Sequence, residues 1–140
     1  MTSILMLDTD IVSYLVKERR PSIRPKFLEY DQAELCVSAV TKSELLYGRR
    51  ILESTHDLHL KVRRLLGDIE VAPWDGDAAE VHASMRHHLI STGRTIGEMD
   101  MMIAAHAMSL GATLVTNNTR HFARLSPSLV IENWVADTPG

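Results

Sequence analysis

Residues 96–122, IGEMDMMIAAHAMSLGATLVTNNTRHF, constrain the fold more than any other part of the chain. Gly97 and Glu98 open a helical pattern in which Ile103, His106, Ala107 and Leu110 recur at helical spacing. Gly111 stands where a helix-ending glycine belongs. Residues 112–116 are then a short apolar, partly β-branched run, read as a buried strand that Asn117 and Asn118 close. A helix that enters a strand through one glycine runs antiparallel to it, so its first turn lies over the strand's C-terminal end. Asp100 is in that turn and Asn118 is at that strand end. Two polar side chains thus share one sheet edge, the edge where sites form in open α/β sheets. Asp100 also heads the apolar stripe of its helix. A carboxylate partly withdrawn from water requires a metal, a cation or hydrogen bonds.

The remaining segments alternate in the same way. Residues 4–7 read as a buried first strand ending in Asp8. Thr9 and Asp10 can cap a helix that buries Ile11, Val12, Leu15 and Val16. Residues 17–26, basic and carrying Pro21 and Pro25, form a turn into a short helix. Residues 34–38 make a second strand. Residues 41–52 make a helix whose Thr41 and Glu44 spell a capping box. A further helix spans 54–66 and stops at Gly67. A third strand covers 69–72. A long helix over 75–90 turns Ala78, Val81, Met85 and Leu89 inward, and 129–132 form a last, edge strand. Strands that alternate with helices give an α/β fold: three layers, α/β/α, around a mostly parallel sheet of four or five strands.

With 140 residues, the chain is read as a single domain over 1–136 with a frayed tail at 137–140. The net charge of −3 gives no global attraction to nucleic acid, so a polyanionic partner would need a local basic patch. The lone Cys36 excludes an internal disulfide framework and fits a reducing compartment. No apolar run approaches a bilayer span, and Asp8 interrupts the N-terminus too early for a secretory signal, so a soluble cytoplasmic protein is expected.

Connectivity places Asp8, Glu44, Asp100 and Asn118 at the C-terminal edge of the sheet. Three acids and a carboxamide make an oxygen-only set suited to Mg²⁺ or Mn²⁺, with Asp8, Glu44 and Asp100 as ligands. Such ions activate water and stabilise charge on a phosphoryl group. Each residue also has a structural role open to it: a capping-box member for Glu44, a helix-dipole partner for Asp100, a cap for Asp8, a turn for Asn118. Those roles explain the residues singly but not their gathering. Glu98 and Asp10 rank second. The seven histidines show no zinc-ligand spacing, although His121 follows Asn118 closely. Basic residues cluster in 17–26, 49–50 and 61–64. Thr116, Arg120 and Arg124, around Asn118, are candidates for phosphate contact. The opening Asp8-Thr9-Asp10 also resembles that of haloacid-dehalogenase-type phosphatases, with Asp8 as nucleophile and Asp10 as acid/base.

Four stretches, LDTDIVSYLV, TKSELLYG, IGEMDMMIAAHA and ATLVTNNTRHF, resemble the PIN-domain ribonucleases, specifically the VapC-type toxins of toxin–antitoxin pairs. The likeness covers nearly the whole chain in the family's order. It implies a Rossmann-like, PIN-like α/β/α fold and a Mg²⁺-dependent endoribonuclease that leaves a 3′-hydroxyl and a 5′-phosphate. It also implies a homodimer, and inhibition by a cognate VapB-type antitoxin through which operator DNA is bound. A non-catalytic PIN-like RNA-binding module is the alternative within the family. The family's acids fall on Asp8, Glu44 and Asp100. Where it often has a fourth acid this chain has Asn118, with Thr116 beside it, and where an acid often precedes the phenylalanine it has His121. Both departures reduce the negative charge available to a second metal.

Overall fold

The computed structural model describes residues 4–51 and 57–135. The expectations for the tail at 137–140 and for the start of the helix placed at 54 fall outside them. Five strands, β1 (Leu5–Leu7), β2 (Leu35–Ser38), β3 (Glu70–Ala72), β4 (Thr113–Val115) and β5 (Ile131–Glu132), pair in the order β3-β2-β1-β4-β5. Every pairing is parallel. The helices are α1 (Thr9–Val16), α2 (Ile23–Leu28), α3 (Ala39–Ile51), α4 (Asp57–Asp68), α5 (Gly76–Ser91), α6 (Glu98–Leu110) and the single turn α7 (Thr119–Phe122).

The sheet is covered on both faces because its strands are apolar on both. Along β1, Leu5 and Leu7 join one cluster with Ile11, Leu15 and Val62, whereas Met6 joins another with Leu89, Ile103 and Ala104. Side chains alternate across a strand, so consecutive apolar residues demand a helical layer on each side. Cys36 is a buried free thiol in the second cluster. Burial pushes that thiol up to about 12, which leaves it a packing residue.

β1 lies at the centre, and the chain builds β2 and β3 to one side of it before crossing to β4 and β5 on the other. The reversal makes the gap between the C-terminal ends of β1 and β4 the topological switch point, where α/β sheets open a crevice. α6 enters β4 through Gly111, whose φ of 64° is left-handed, as the glycine anticipates.

Local expectations change at several points, and the helix expected to stop at Gly67 runs through it to Asp68. Asp8, rather than Thr9 or Asp10, is the N-cap of α1, because its Oδ1 accepts the Thr9 amide. α3 begins at Ala39, with the Val40 amide held by Ser38 Oγ at 3.1 Å, so Thr41 lies inside the helix and the Thr41–Glu44 capping box does not form. Leu110 is 44% exposed rather than core, since it sits in the last turn of α6 where the helix leaves the sheet.

Candidate active site

Asp8 closes β1 at the switch point and is 4% exposed. Its Oδ1 accepts the Thr9 amide at 2.8 Å and its Oδ2 accepts the Thr116 hydroxyl at 2.8 Å, across from the end of β4. Burial pushes the carboxyl up to about 7; the Thr116 and Thr9 bonds pull the other way, and Asp10 and Asp100 add negative charge that raises it further. An acid so placed is short of positive charge rather than of hydrogen bonds.

Glu44 reaches the same corner from the second turn of α3. Its Oε1 accepts the Thr9 hydroxyl at 2.6 Å, and the buried Thr41 hydroxyl lies 3.2 Å from the same Thr9 oxygen. Thr9 therefore touches two sides of the site, its amide on Asp8 and its hydroxyl on Glu44. Asp100, in the first turn of α6, is half-buried. Burial raises its carboxyl most, Asp10 adds to this, and His121 opposes it. His121 Nε2 stands 3.7 Å from Asp100 Oδ2. The Asn118 amide nitrogen donates to Thr116 Oγ1 at 3.0 Å, and its side chain is left exposed at the rim.

The second-ranked acids separate. Asp10 acts electrostatically on both Asp8 and Asp100 and belongs to the site's field. Glu98 pairs with Arg86 at 3.2 Å. Among the basic residues, Arg124 donates to the Thr95 carbonyl at 2.8 Å, which closes the loop before α6, while Arg120 is exposed. Lys61 and Arg24 both face Glu18 at 3.9 Å. A cleft of about 740 Å³ leads away from Thr9, Asp10 and Glu44 to Lys17, Arg19 and Lys61. Sequence reasoning gave Thr9 and Thr41 only capping roles. The signal available was Thr9 beside Asp8 and Thr41 three residues before Glu44, but nothing in the spacing shows that Thr9, 35 residues from Glu44, donates to it.

The donors are carboxylate and hydroxyl oxygens, the set that hard divalent cations take. The buried Asp8 carboxylate, with two more acids acting on it, is the observation that fits a cation here. Among the described residues no group of three acids closes into a ready-made metal cage. Mg²⁺ needs none, because it keeps waters and borrows oxygens from a phosphate substrate. Among those residues, too, no helix is long and apolar enough to cross a membrane.

The family model described as PIN domain matches residues 5–126. The tRNA(fMet)-specific endonuclease VapC of Shigella flexneri is 36% identical over 129 residues, 92% of this chain and 96% of that one. Ribonuclease VapC2 of Haemophilus influenzae is 36% identical over 130 residues, 93% of this chain and 97% of its own. Among solved structures, DNA-bound VapBC from Salmonella typhimurium superposes with a TM-score of 0.87 at 33% identity, covering 94% of this chain and 98% of that one. VapBC2 from Rickettsia felis, bound to a fragment of promoter DNA, gives 0.85 at 29% identity, with the same coverage.

Proposed function

The chain belongs to the PIN-domain family, and from that premise we propose that it is a toxin endoribonuclease that hydrolyses RNA phosphodiester bonds with a divalent cation. Mg²⁺ is the physiological ion in this reading and Mn²⁺ a substitute. In this reading a VapB-type antitoxin holds the toxin inactive and carries the contact with operator DNA, which is supported by the similarity to VapBC complexes bound to DNA. The toxin is a homodimer. Family membership removes the haloacid-dehalogenase alternative, and the charge-starved carboxylate of Asp8, sealed beside two other acids, favours a working site over a decayed one.

In this reading Asp8 and Asp100 would hold the cation, with Glu44 either joining them or serving as the base. When bound, the ion neutralises the phosphoryl oxygens and makes water more acidic. Glu44 accepts the proton of the attacking water on Oε2, since Oε1 is already engaged by Thr9. Thr9 restricts the Glu44 rotamer, and Thr116 fixes the orientation of Asp8. The water oxygen bonds to phosphorus as the P–O3′ bond opposite it breaks; the departing 3′-oxygen takes a proton from solvent water, Glu44 returns its own to solvent, and the products are a 3′-hydroxyl and a 5′-phosphate. Asn118 and Arg120, at the rim, face the phosphates on either side. Unpaired loops are the expected targets, because only unstacked bases can be drawn into such a cleft.

The observation that carries this proposal is the buried Asp8 carboxylate at the switch point, raised by burial and by the charges of Asp10 and Asp100 and linked through Thr9 to Glu44. It is tested by sequencing RNA 5′ ends after induction of wild type and of Asp8→Asn. Initiator tRNA is the first purified substrate to try, given the name of the Shigella flexneri relative. New 5′-phosphate ends in wild type alone support the proposal. Identical end maps would overturn it.

A further inference from the structure

Asp100 and Glu44 stand on different helices, so their separation depends on how α6 sits against the corner between β2 and α3. Six residues beyond Asp100 on α6 is His106, 1% exposed. Six residues before Glu44 is Ser38, the last residue of β2, which is fully buried. His106 Nδ1 lies 2.8 Å from Ser38 Oγ. Ser38 Oγ also accepts the Val40 amide and keeps its own proton and a second lone pair, so it can meet either tautomer of the ring. The ring also bonds to the Pro73 backbone, and burial favours its neutral form. Next to Pro73, Trp74 Nε1 donates to the Met102 carbonyl, one turn earlier on α6, at 2.9 Å. One segment of α6 is therefore gripped from β2 and from the turn after β3.

The rest of the buried face of α6 is Met101, Ile103, Ala104, Ala105 and Ala107. Apolar packing is non-directional and tolerates sliding or rotation of small residues over a sheet. Hydrogen bonds fix distance and angle. The lever is short: His106 is about 9 Å along the axis from Asp100, and a register slip of one residue would swing Asp100 by about 100°. Ser38 and His106 look like a nucleophile and its base, but both are sealed from solvent and from any substrate.

We propose that His106, together with Ser38, is a positioning residue of the nuclease site: the buried pair sets the register of α6 and thereby the separation of Asp100 from Glu44 and Asp8. The inference rests on the nuclease reading of that site. The pair acts on the geometry in which the cation is held, and it contributes no atom to the reaction.

The test uses the full chain, with Mn²⁺ titrated into RNA-free protein and followed by electron paramagnetic resonance, alongside thermal melting and RNA cleavage. His106→Leu and Ser38→Ala are expected to weaken Mn²⁺ binding about tenfold, the lower range for losing a residue that orients a metal ligand, and to reduce kcat with little change in KM. His106→Asn, which keeps a hydrogen-bonding group where Nδ1 stood, should recover most of both. Adding Ser38→Ala to His106→Leu should weaken binding no further. Ile23→Val, a core change on the opposite face, should lower the melting temperature without touching Mn²⁺ affinity. Wild-type Mn²⁺ affinity in folded Ser38→Ala and His106→Leu would overturn the proposal, as would an equal loss in Ile23→Val. Should His106→Leu not fold, Ser38→Ala and His106→Asn decide it by the same comparison. Wild-type protein that neither binds Mn²⁺ nor cuts RNA would overturn the nuclease reading and this inference with it. Active wild type with unaltered variants would overturn this inference alone.

Discussion

Replacing Asp8 by asparagine should stabilise the metal-free protein at neutral pH, although it removes a residue central to the site. Burial raises this carboxyl from 3.8 to about 7, so the folded chain binds its proton more tightly than the unfolded chain does. Stability therefore falls as pH rises through that window and levels off above it. At about 1.4 kcal/mol per pH unit, the penalty on the folded state is about 4 kcal/mol at pH 8 and about 2 kcal/mol at pH 5. Asparagine does not titrate. Its Oδ1 still accepts the Thr9 amide, and asparagine caps helices as well as aspartate does. Its amide can donate to Thr116 Oγ1, which already accepts from Asn118, so the Thr116 proton loses its acceptor at a cost of about 1 kcal/mol. The net gain is about 3 kcal/mol at pH 8. With an unfolding entropy of about 2.1 cal/mol/K per residue, that corresponds to a melting temperature about 10 °C above wild type. The gap should shrink to a few degrees at pH 5 and close between pH 4 and pH 5. Calorimetric melts of both proteins in chelator across this range provide the assay. Saturating Mn²⁺ should narrow the gap at pH 8 by stabilising wild type alone. A variant that melts below wild type at pH 8, or a gap that does not change with pH, would refute the reasoning and leave Asp8 as a simple helix cap.

Glu44→Gln keeps an acceptor for the Thr9 hydroxyl, so it should melt within a degree or two of wild type while initial cleavage rates fall by about 10²–10⁴-fold; near-wild-type cleavage would return Glu44 to a structural role. Asp100→Asn should lower Mn²⁺ affinity, measured by titration calorimetry, and keep or slightly raise the melting temperature, since burial and Asp10 both oppose the charge at that position; unchanged affinity would remove Asp100 from the ligand set. His121→Asp exchanges the imidazole that faces Asp100 for an acid and should tighten Mn²⁺ binding several-fold while destabilising the metal-free fold; weaker binding would show that His121 itself helps to hold the ion.

Local pattern was enough to read the parallel α/β architecture, because each of its signals is short-range. Gly111 after an apolar helical stripe, the two-sided apolar strands around Met6 and Cys36, and the alternation of elements need no knowledge of distant residues. The placement of Asp8, Glu44 and Asp100 at one sheet edge followed from connectivity in the same way. The partners of those acids did not. The capping box at Thr41 failed because Ser38 had already taken the start of α3, which freed Glu44 for Thr9 on another helix. Asp10 joined the site's field and Glu98 left it for Arg86, although both were plain first-turn acids in the sequence. Arg124, read as a phosphate contact, closes a loop on Thr95. His106 read as one more position on an apolar stripe, yet its ring bonds to a serine 68 residues away. Hydrogen bonds and pKa shifts depend on burial and on which side chains converge across the sheet. Those distances are set by helix register and strand order, and only the folded chain supplies them.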